Sequence, residues 1–184
     1  MFWKLRRVRA MDPLQVAMTG VRMGERYLQI FCSDRALTGG LATKTGLSGV
    51  AALAAPDEDH AARARAAAAK AGALIDVQVT SPATLPWPPE SFDMVVIDNT
   101  DGRFARLPDG ERAASLEAAR KVLRAGGRIE LIERAAGGLR AGASTAVDYT
   151  RRGGAEGALR QAGFKPVRTL AEKDGFRFVE GLKG

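Results

Sequence analysis

The chain has 184 residues, of which 46% are hydrophobic and 27% are charged, and this balance excludes a wholly disordered protein. No apolar run reaches the roughly 20 residues that a membrane-spanning helix needs, so we expect a one-domain protein of the cytoplasm. A single cysteine, Cys32, excludes a disulfide framework, and with a single histidine, His60, we expect no metal site.

The formal net charge is +7, and much of the basic excess lies at the N-terminus. Four cations stand there among apolar side chains: Lys4, Arg6, Arg7 and Arg9. Such a segment could dock on an anionic membrane surface or on nucleic acid, or it could be a solvated tail or short helix packed on the domain. We favour the second interpretation, because residues 1–9 offer little area for anchoring. The sequence thus predicts two parts: residues 1–20, which hold the basic segment and a short helix, and a domain at 21–184. Asp12 is the predicted N-cap of the short helix, and Gly20 ends it.

Short β-type runs alternate with helical stretches from residue 26 onward, which predicts a parallel sheet with helices on both faces. The first half of this pattern predicts three strands, at residues 26–31, 50–55 and 74–79. Two helices connect them, one from residue 33 or 34 to 46 and one at residues 56–71. Gly72 follows the second helix as its stop signal.

The second half of the pattern begins with a proline-stiffened loop at residues 81–90 and an apolar strand at 94–97. A helix at 110–124 and a turn at Gly126-Gly127 then lead to a strand at 128–133. The glycine-rich residues 135–154 predict a loop. The last predicted elements are a helix at 155–162 and a hairpin of two strands at 166–170 and 176–180.

Four stretches of the chain carry motifs. Residues 91–98 (Ser-Phe-Asp-Met-Val-Val-Ile-Asp) end an apolar strand, and residues 116–133 combine a helix, a double glycine and a further strand. Residues 85–87 (Leu-Pro-Trp) and 159–164 (Leu-Arg-Gln-Ala-Gly-Phe) flank these elements. Together they resemble the class I S-adenosylmethionine-dependent methyltransferases, and the resemblance covers residues 20–182. It implies an α/β fold with a single seven-stranded, methyltransferase-like, doubly wound sheet and a C-terminal antiparallel hairpin.

The loop after the first strand departs from the pattern of that family. The resemblance implies that S-adenosylmethionine (SAM) binds there on a glycine-rich loop, because the backbone must approach the ligand closely. Residues 29–35 contain no glycine. Phe31, Ser33 and Arg35 stand at the three glycine positions, and Cys32 lies between the first two.

Two further cofactor contacts of the family are absent from the aligned positions. Where the family places a carboxylate for the ribose hydroxyls, this chain has Ala54, and where it places an aspartate for the adenine amino group, this chain has Ser81. Asp57 lies three residues beyond Ala54 and could reach the ribose or begin the next helix. We favour the helix, since acidic side chains are stabilised in a first turn.

Candidate catalytic residues follow the fourth strand. Asp98 and Asn99 stand at the carboxyl edge of the sheet, where open α/β folds bind ligands, and similar residues of N-methyltransferases in this family contact the substrate nitrogen. The alternative is a strand-ending turn. Asp148, Tyr149 and Arg151 stand where related enzymes build a substrate pocket, or they are ordinary loop residues.

These observations predict a class I methyltransferase homologue with a degenerate cofactor site, weak or non-catalytic, which has a binding or regulatory role. SAM is the cofactor that the resemblance implies, and we expect it to bind weakly. Two alternatives stay open: an active SAM-dependent small-molecule methyltransferase, and an adaptor that docks on membrane or nucleic acid through residues 1–9. The expected partner is a small molecule or a protein, and a protein partner could be a second copy of the chain in a homodimer.

Overall fold

The computed structural model of the chain describes residues 13–135 and 144–184. Within these ranges the helices are α1 Leu14–Thr19, α2 Arg35–Thr45, α3 Glu58–Ala71, α4 Arg103–Arg106, α5 Asp109–Val122, α6 Ser144–Arg151 and α7 Gly154–Gln161. The strands are β1 Arg26–Ile30, β2 Val50–Ala55, β3 Asp76–Val79, β4 Phe92–Asn99, β5 Leu123–Arg134, β6 Val167–Lys173 and β7 Phe176–Leu182. None of the helices in these ranges is both long and apolar enough to cross a bilayer.

The strands form one seven-stranded sheet in the order β3-β2-β1-β4-β5-β7-β6. The first five strands of this order are parallel, and β7 runs antiparallel to both β5 and β6. The prediction of a doubly wound sheet with a C-terminal hairpin is therefore confirmed. Strand order reverses between β1 and β4, so the carboxyl ends of these two strands mark the switch point where such sheets bind ligands.

Each face of the sheet carries its own apolar core, and we call the faces the α5 side and the α1 side after one helix on each. On the α5 side, strands pack against α5 and α7 through Leu28, Ile30, Val95, Ile97, Ile129, Leu131, Leu116, Ala119 and Leu159. On the α1 side, strands pack against α1 and α2 through Tyr27, Met94, Val96, Ile132, Phe178, Val16, Leu37 and Leu41. Side chains alternate between these faces along each strand, as a buried pleated sheet requires.

Local signals place the helices as the sequence predicts. Asp34 caps α2 and accepts hydrogen bonds from the amides of residues 36 and 37, at 2.8 and 3.2 Å. Gly72 ends α3 with φ +70°, a left-handed conformation that glycine adopts readily. Gly20 ends α1 in the same way. Asp12, the predicted cap of α1, lies outside the described residues, as does all of 1–12.

Three stretches differ from the predicted elements. Strand β5 begins at Leu123, so the helix predicted at 110–124 ends at Val122 and the turn predicted at Gly126-Gly127 lies within the strand. The loop predicted at 135–154 is wrong for residues 144–151, which form α6, while residues 136–143 lie outside the described ranges. The short helix α4 was not predicted; it forms where the Asp101 carboxylate accepts from the Arg103 amide at 2.9 Å and Phe104 is fully buried. Each of these two helices buries one aromatic side chain, Phe104 in α4 and Tyr149 in α6, and short helices without a repeated apolar pattern are hard to recognise from sequence.

Candidate cofactor and substrate site

The first candidate cofactor residue, Phe31, directly follows β1 at the switch point. Its backbone has φ +68°, in the left-handed region that favours glycine, and its amide donates to the Ala54 carbonyl at 3.0 Å. The phenyl ring is buried in the core of the α5 side, and the residue is 1% exposed. The position thus keeps the backbone conformation expected of a family glycine but carries a large buried side chain.

The next residues of this loop, Ser33 and Asp34, are held by a carboxylate of β4. Asp98 Oδ2 accepts from the amides of Ser33 and Asp34, each at 2.8 Å, and Oδ1 accepts from the Thr100 hydroxyl and amide at 2.6 and 3.2 Å. Asp98 is fully buried. Burial raises the pKa of Asp98, while the hydrogen bonds from Thr100, Asp34 and Ser33 act to lower it. The amides that open toward a ligand in a glycine loop therefore already bind a side chain of this protein.

Cys32 points into the core of the domain. It is fully buried beside Leu53, Ala61 and Ala64, and the Thr38 hydroxyl lies 3.3 Å from its sulfur. Burial raises the pKa of the Cys32 thiol, which keeps it protonated and unreactive at neutral pH.

The residues at the ribose and adenine positions carry no charge toward the switch point. Ala54 is buried in β2 opposite Ile30 of β1. Asp57 caps α3, where its carboxylate accepts from the His60 amide at 2.8 Å and lies 2.7 Å from the imidazole Nδ1. These hydrogen bonds from His60 hold the pKa of Asp57 below its usual range. Ser81 is exposed, and its hydroxyl accepts from the amide of residue 83 at 3.2 Å.

The second candidate catalytic residue, Asn99, belongs to a buried polar cluster centred on Glu133 at the end of β5. Glu133 Oε2 accepts from the Tyr149 hydroxyl at 2.9 Å and from the Asn99 amide at 3.4 Å, and Asn99 Oδ1 accepts from the Ala105 amide at 3.2 Å. Burial raises the pKa of Glu133, and the Tyr149 hydrogen bond opposes this shift. Sequence reasoning missed Glu133; the available signal was a single acidic residue at the end of an apolar strand.

The predicted substrate residues of α6 divide between core and solvent. Tyr149 points inward, where Phe104 meets its ring edge-on at 6.1 Å and the Arg112 guanidinium lies 5.0 Å from its ring centre. Asp148 and Arg151 are exposed, and the Arg151 guanidinium lies 4.0 Å from the Asp148 carboxylate. The structure therefore joins Asn99 and Tyr149 through Glu133 and does not bring Asp148 or Arg151 to the same place.

A groove of about 1170 Å³ runs along α5 on the outer surface of the domain. Its walls are the loop with Trp87 on one side and α7 on the other, and its cations are Arg112, Arg120, Lys121, Arg152 and Lys183. Trp87 packs edge-on against Phe92 at 5.8 Å, and its indole donates to Asp76 at 3.1 Å. The groove does not include any of the five candidate cofactor residues.

A sequence model described as a methyltransferase domain matches residues 32–131, more than half of the chain. The chain belongs to this family of class I SAM-dependent methyltransferases. Membership implies SAM as the cofactor of the family. No curated protein sequence is significantly similar to the chain.

Solved methyltransferase structures share this fold. A SAM-dependent methyltransferase from Aquifex aeolicus superposes with a TM-score of 0.73 at 16% identity, covering 92% of this chain and 87% of that one. A SAM-dependent O-methyltransferase from Thermotoga maritima gives 0.65 at 15% identity, covering 91% of this chain and 62% of that one. A possible histamine N-methyltransferase from the same organism gives 0.58 at 18% identity, covering 92% and 88%. Identities this low establish the fold of the methyltransferase domain and not its substrate.

Proposed function

We propose that this methyltransferase-family protein has a degenerate cofactor site and acts as a binding or regulatory protein rather than as an efficient methyltransferase. The observation that carries the proposal is the double hydrogen bond from the Ser33 and Asp34 amides to the buried carboxylate of Asp98. Because these two amides are occupied, they are not available as donors to a ligand. The buried ring of Phe31, at the position of the first family glycine, supports the same conclusion.

The absence of carboxylates at the ribose and adenine positions also lowers the expected affinity for SAM. A charge-assisted hydrogen bond contributes roughly 1.5–3 kcal/mol, and neither Ala54 nor Ser81 supplies a carboxylate for the ribose or the adenine. With the loop donors also occupied, the loss is on the order of 4 kcal/mol, which is about a thousandfold in affinity. The residues present do not fit SAM in the manner of the family.

An active small-molecule methyltransferase is the second candidate, and the cluster of Asn99, Glu133 and Tyr149 favours it. These side chains place polar groups at the carboxyl ends of β4 and β5, where an acceptor could be oriented. Such an enzyme would hold its cofactor through backbone contacts and accelerate the reaction mainly by proximity. The cytoplasmic location, the small-molecule or protein partner and the homodimer stay predictions.

Calorimetric titration of the full chain with SAM and with its demethylated product tests the proposal. We expect a dissociation constant of about 1 mM or weaker, since a micromolar family site that loses a thousandfold reaches that range. Binding at tens of micromolar or tighter would contradict a degenerate site and favour the active enzyme.

A gain-of-binding variant tests which contacts were lost. We expect Phe31→Gly with Ser33→Gly and Ala54→Asp to bind the demethylated product at least about tenfold more tightly than the natural chain, because a restored charge-assisted bond alone contributes at least that much. The matched control replaces Ala54→Asp by Ala54→Asn, which has the same shape but no charge. Equal affinities for the two triple variants would show that Ala54 does not stand at the ribose position.

A further inference from the structure

Four of the six large apolar side chains that are exposed in the described structure lie at one edge of the sheet. We call it the amino edge, because the five parallel strands begin there. The four side chains are Met23 before β1, Leu47 before β2, Val50 at the start of β2 and Leu74 before β3. Met23, Leu47 and Leu74 are 78%, 94% and 80% exposed. Single exposed apolar side chains are common, whereas a cluster of them marks a surface that binds a partner.

Met23 and Leu47 lie in two turns that contact each other. The Gly24 amide donates to the Thr45 carbonyl at 2.9 Å, which ties the turn before β1 to the end of α2. A Cβ at Gly46 would lie 3.4 Å from Met23 Cγ, so Met23 lies against the turn that carries Leu47.

Val50 and Leu74 stand side by side on the next pair of strands. In the parallel ladder of β2 and β3, Ala52 is the partner of Asp76. Val50 and Leu74 each lie two residues before these partners, so both belong to the start of the same ladder. We call Met23, Leu47, Val50 and Leu74 together the apolar edge patch.

The charges of the domain are divided between the two ends of the strands. The helices that connect parallel strands end at the amino edge, and the last turns of α2, α3 and α5 are basic. The first turns of α3 and α5, which begin at the carboxyl edge, are acidic. Helix dipoles favour this arrangement. The cations that flank the apolar edge patch are Arg22, Arg26, Lys44 and Lys70.

The acidic side chains at the starts of β1 and β3 are bound to other groups of the protein. Glu25 pairs with Arg128 at 3.1 Å, and the Asp76 carboxylate accepts from two side chains at 2.8 and 3.1 Å. The side chains of Arg22 and Lys70 form no ion pair with residues 13–135 or 144–184. The amino edge therefore presents available positive charge beside exposed apolar side chains.

An anionic bilayer surface complements both properties of this edge. Aliphatic side chains that enter the headgroup region are removed from water, and lysine and arginine beside them are attracted by anionic lipids. Nucleic acid would bind the cations through its phosphates, but a phosphate backbone offers no apolar environment to Leu47 or Leu74. The combination of charge and apolar surface therefore favours a membrane.

We propose that the domain docks on anionic membrane surfaces through the amino edge of its sheet, with Leu47 and Leu74 among the lipid headgroups. The switch point lies at the opposite, carboxyl ends of the strands and faces away from the membrane. All of the residues that form this surface belong to the described structure. The inference does not depend on whether the protein binds SAM.

Co-sedimentation of the full chain with lipid vesicles tests the apolar contribution. We expect the chain to bind mixed phosphatidylcholine–phosphatidylserine vesicles, and Leu47→Ser with Leu74→Ser to weaken this binding at least about tenfold, because two aliphatic side chains no longer leave water. The matched control, Val79→Ser with Val147→Ser, changes exposed apolar side chains away from the amino edge and should leave binding unchanged. Equal binding by the leucine variant and the natural chain, or no binding to mixed vesicles, would overturn the proposal.

The same assay tests the charge contribution. Arg22→Gln with Lys70→Gln should weaken binding to mixed vesicles at least about fivefold, and the natural chain should bind pure phosphatidylcholine vesicles at least about fivefold more weakly than mixed ones. The control, Arg106→Gln with Lys173→Gln, removes the same charge from exposed residues at the carboxyl ends of β4 and β6. An equal loss in both pairs of variants would show that net charge, and not the amino edge, attracts the protein.

A full-length variant in which glutamine replaces Lys4, Arg6, Arg7 and Arg9 separates this surface from the N-terminal segment. We expect it to keep binding to mixed vesicles and to lose that binding with Leu47→Ser and Leu74→Ser. Loss of binding on the glutamine changes alone would overturn the proposal and support an adaptor that uses residues 1–9. Duplex DNA is the second probe, and tighter binding to DNA than to mixed vesicles, unchanged by the leucine pair, would overturn the proposal in favour of nucleic acid.

Discussion

The carboxylate of Asp98 accepts hydrogen bonds from the backbone amides of both Ser33 and Asp34, each at 2.8 Å. This contact ties the carboxyl end of β4 to the loop after β1, across the point where the strand order reverses. It also places a negative charge at the N-terminus of α2, where the helix dipole stabilises it. The residue that the sequence marked as a catalytic candidate thus supports the loop that the sequence marked as a cofactor candidate.

Asp98→Asn should lower the free energy of unfolding by about 2–3 kcal/mol, because the amide nitrogen of asparagine cannot accept from donors that the carboxylate now binds. Urea unfolding followed by circular dichroism measures the change. The control is Asp101→Asn, whose exposed carboxylate accepts one amide bond and should contribute less than about 1 kcal/mol. Asp98→Asn as stable as the natural chain would mean that the loop amides are not held by Asp98 in solution.

Of the two variants that remove the ring of Phe31, Phe31→Gly should be more stable than Phe31→Ala. Phe31→Ala is expected to lose about 3–5 kcal/mol for the buried ring, and Phe31→Gly about 1 kcal/mol less, because glycine relieves the left-handed backbone at φ +68°. The control pair is Phe92→Ala and Phe92→Gly, at a buried ring without positive φ, where glycine should be the less stable by about 0.5–1 kcal/mol. The same order of stability at both positions would show that Phe31 does not keep its left-handed conformation.

The sequence predicted the elements whose signals are local. Asp34 begins α2 and Gly72 ends α3 through contacts within four residues, so these residue types alone indicated where the two helices begin and end. The parallel order of the strands followed from the alternation of strands and helices, together with the family motifs. Tyr149 behaves differently, because its buried hydroxyl donates to Glu133, which lies sixteen residues earlier in the chain.

The candidate site was predictable only in part for the same reason. The sequence alone shows that the family glycine is missing at Phe31 and that the family carboxylate is missing at Ala54. The hydrogen bonds from the loop amides to Asp98 are not visible there, because they join residues that are 64 and 65 positions apart. Glu133 carries no motif of its own and is recognised only where Asn99 and Tyr149 converge on it. Long-range polar contacts between single residues leave no periodic trace in a sequence.

Tyr149→Phe should destabilise the protein more as the pH rises. The variant keeps the ring against Phe104 and removes the hydroxyl that binds Glu133, so the already raised pKa of Glu133 rises further in the folded state. A carboxyl whose folded pKa is raised stabilises the fold below its unfolded pKa of about 4.3, and this stabilisation is lost as the pH rises through the folded pKa.

We therefore expect Tyr149→Phe to cost about 1 kcal/mol near pH 4 and about 2 kcal/mol or more at pH 8, measured by urea unfolding. In a Glu133→Gln background the charge is absent, and the cost of Tyr149→Phe should no longer depend on pH. A cost that is constant with pH in the natural background would mean that Glu133 is not ionised beside Tyr149.

The free energy of unfolding should also depend on the protonation of Glu130. Burial, with Glu180 nearby, raises the pKa of Glu130 to about 8, while Arg128 acts to lower it. The folded state then keeps a proton that the unfolded state releases above its pKa of about 4.3. The free energy of unfolding should therefore fall between about pH 4.3 and 8, and Glu130 should contribute up to roughly 1.4 kcal/mol per pH unit to this fall.

Glu130→Gln should flatten this pH dependence and stabilise the fold at pH 8, because glutamine keeps the shape of the side chain and removes an unpaired buried charge. Urea unfolding at pH 5, 6.5 and 8 measures the change. The matched control, Glu117→Gln, replaces an exposed carboxylate of α5 and should change the free energy of unfolding by less than about 0.5 kcal/mol at each pH. The same pH dependence in Glu130→Gln and in the natural chain would mean that Glu130 does not titrate in this range.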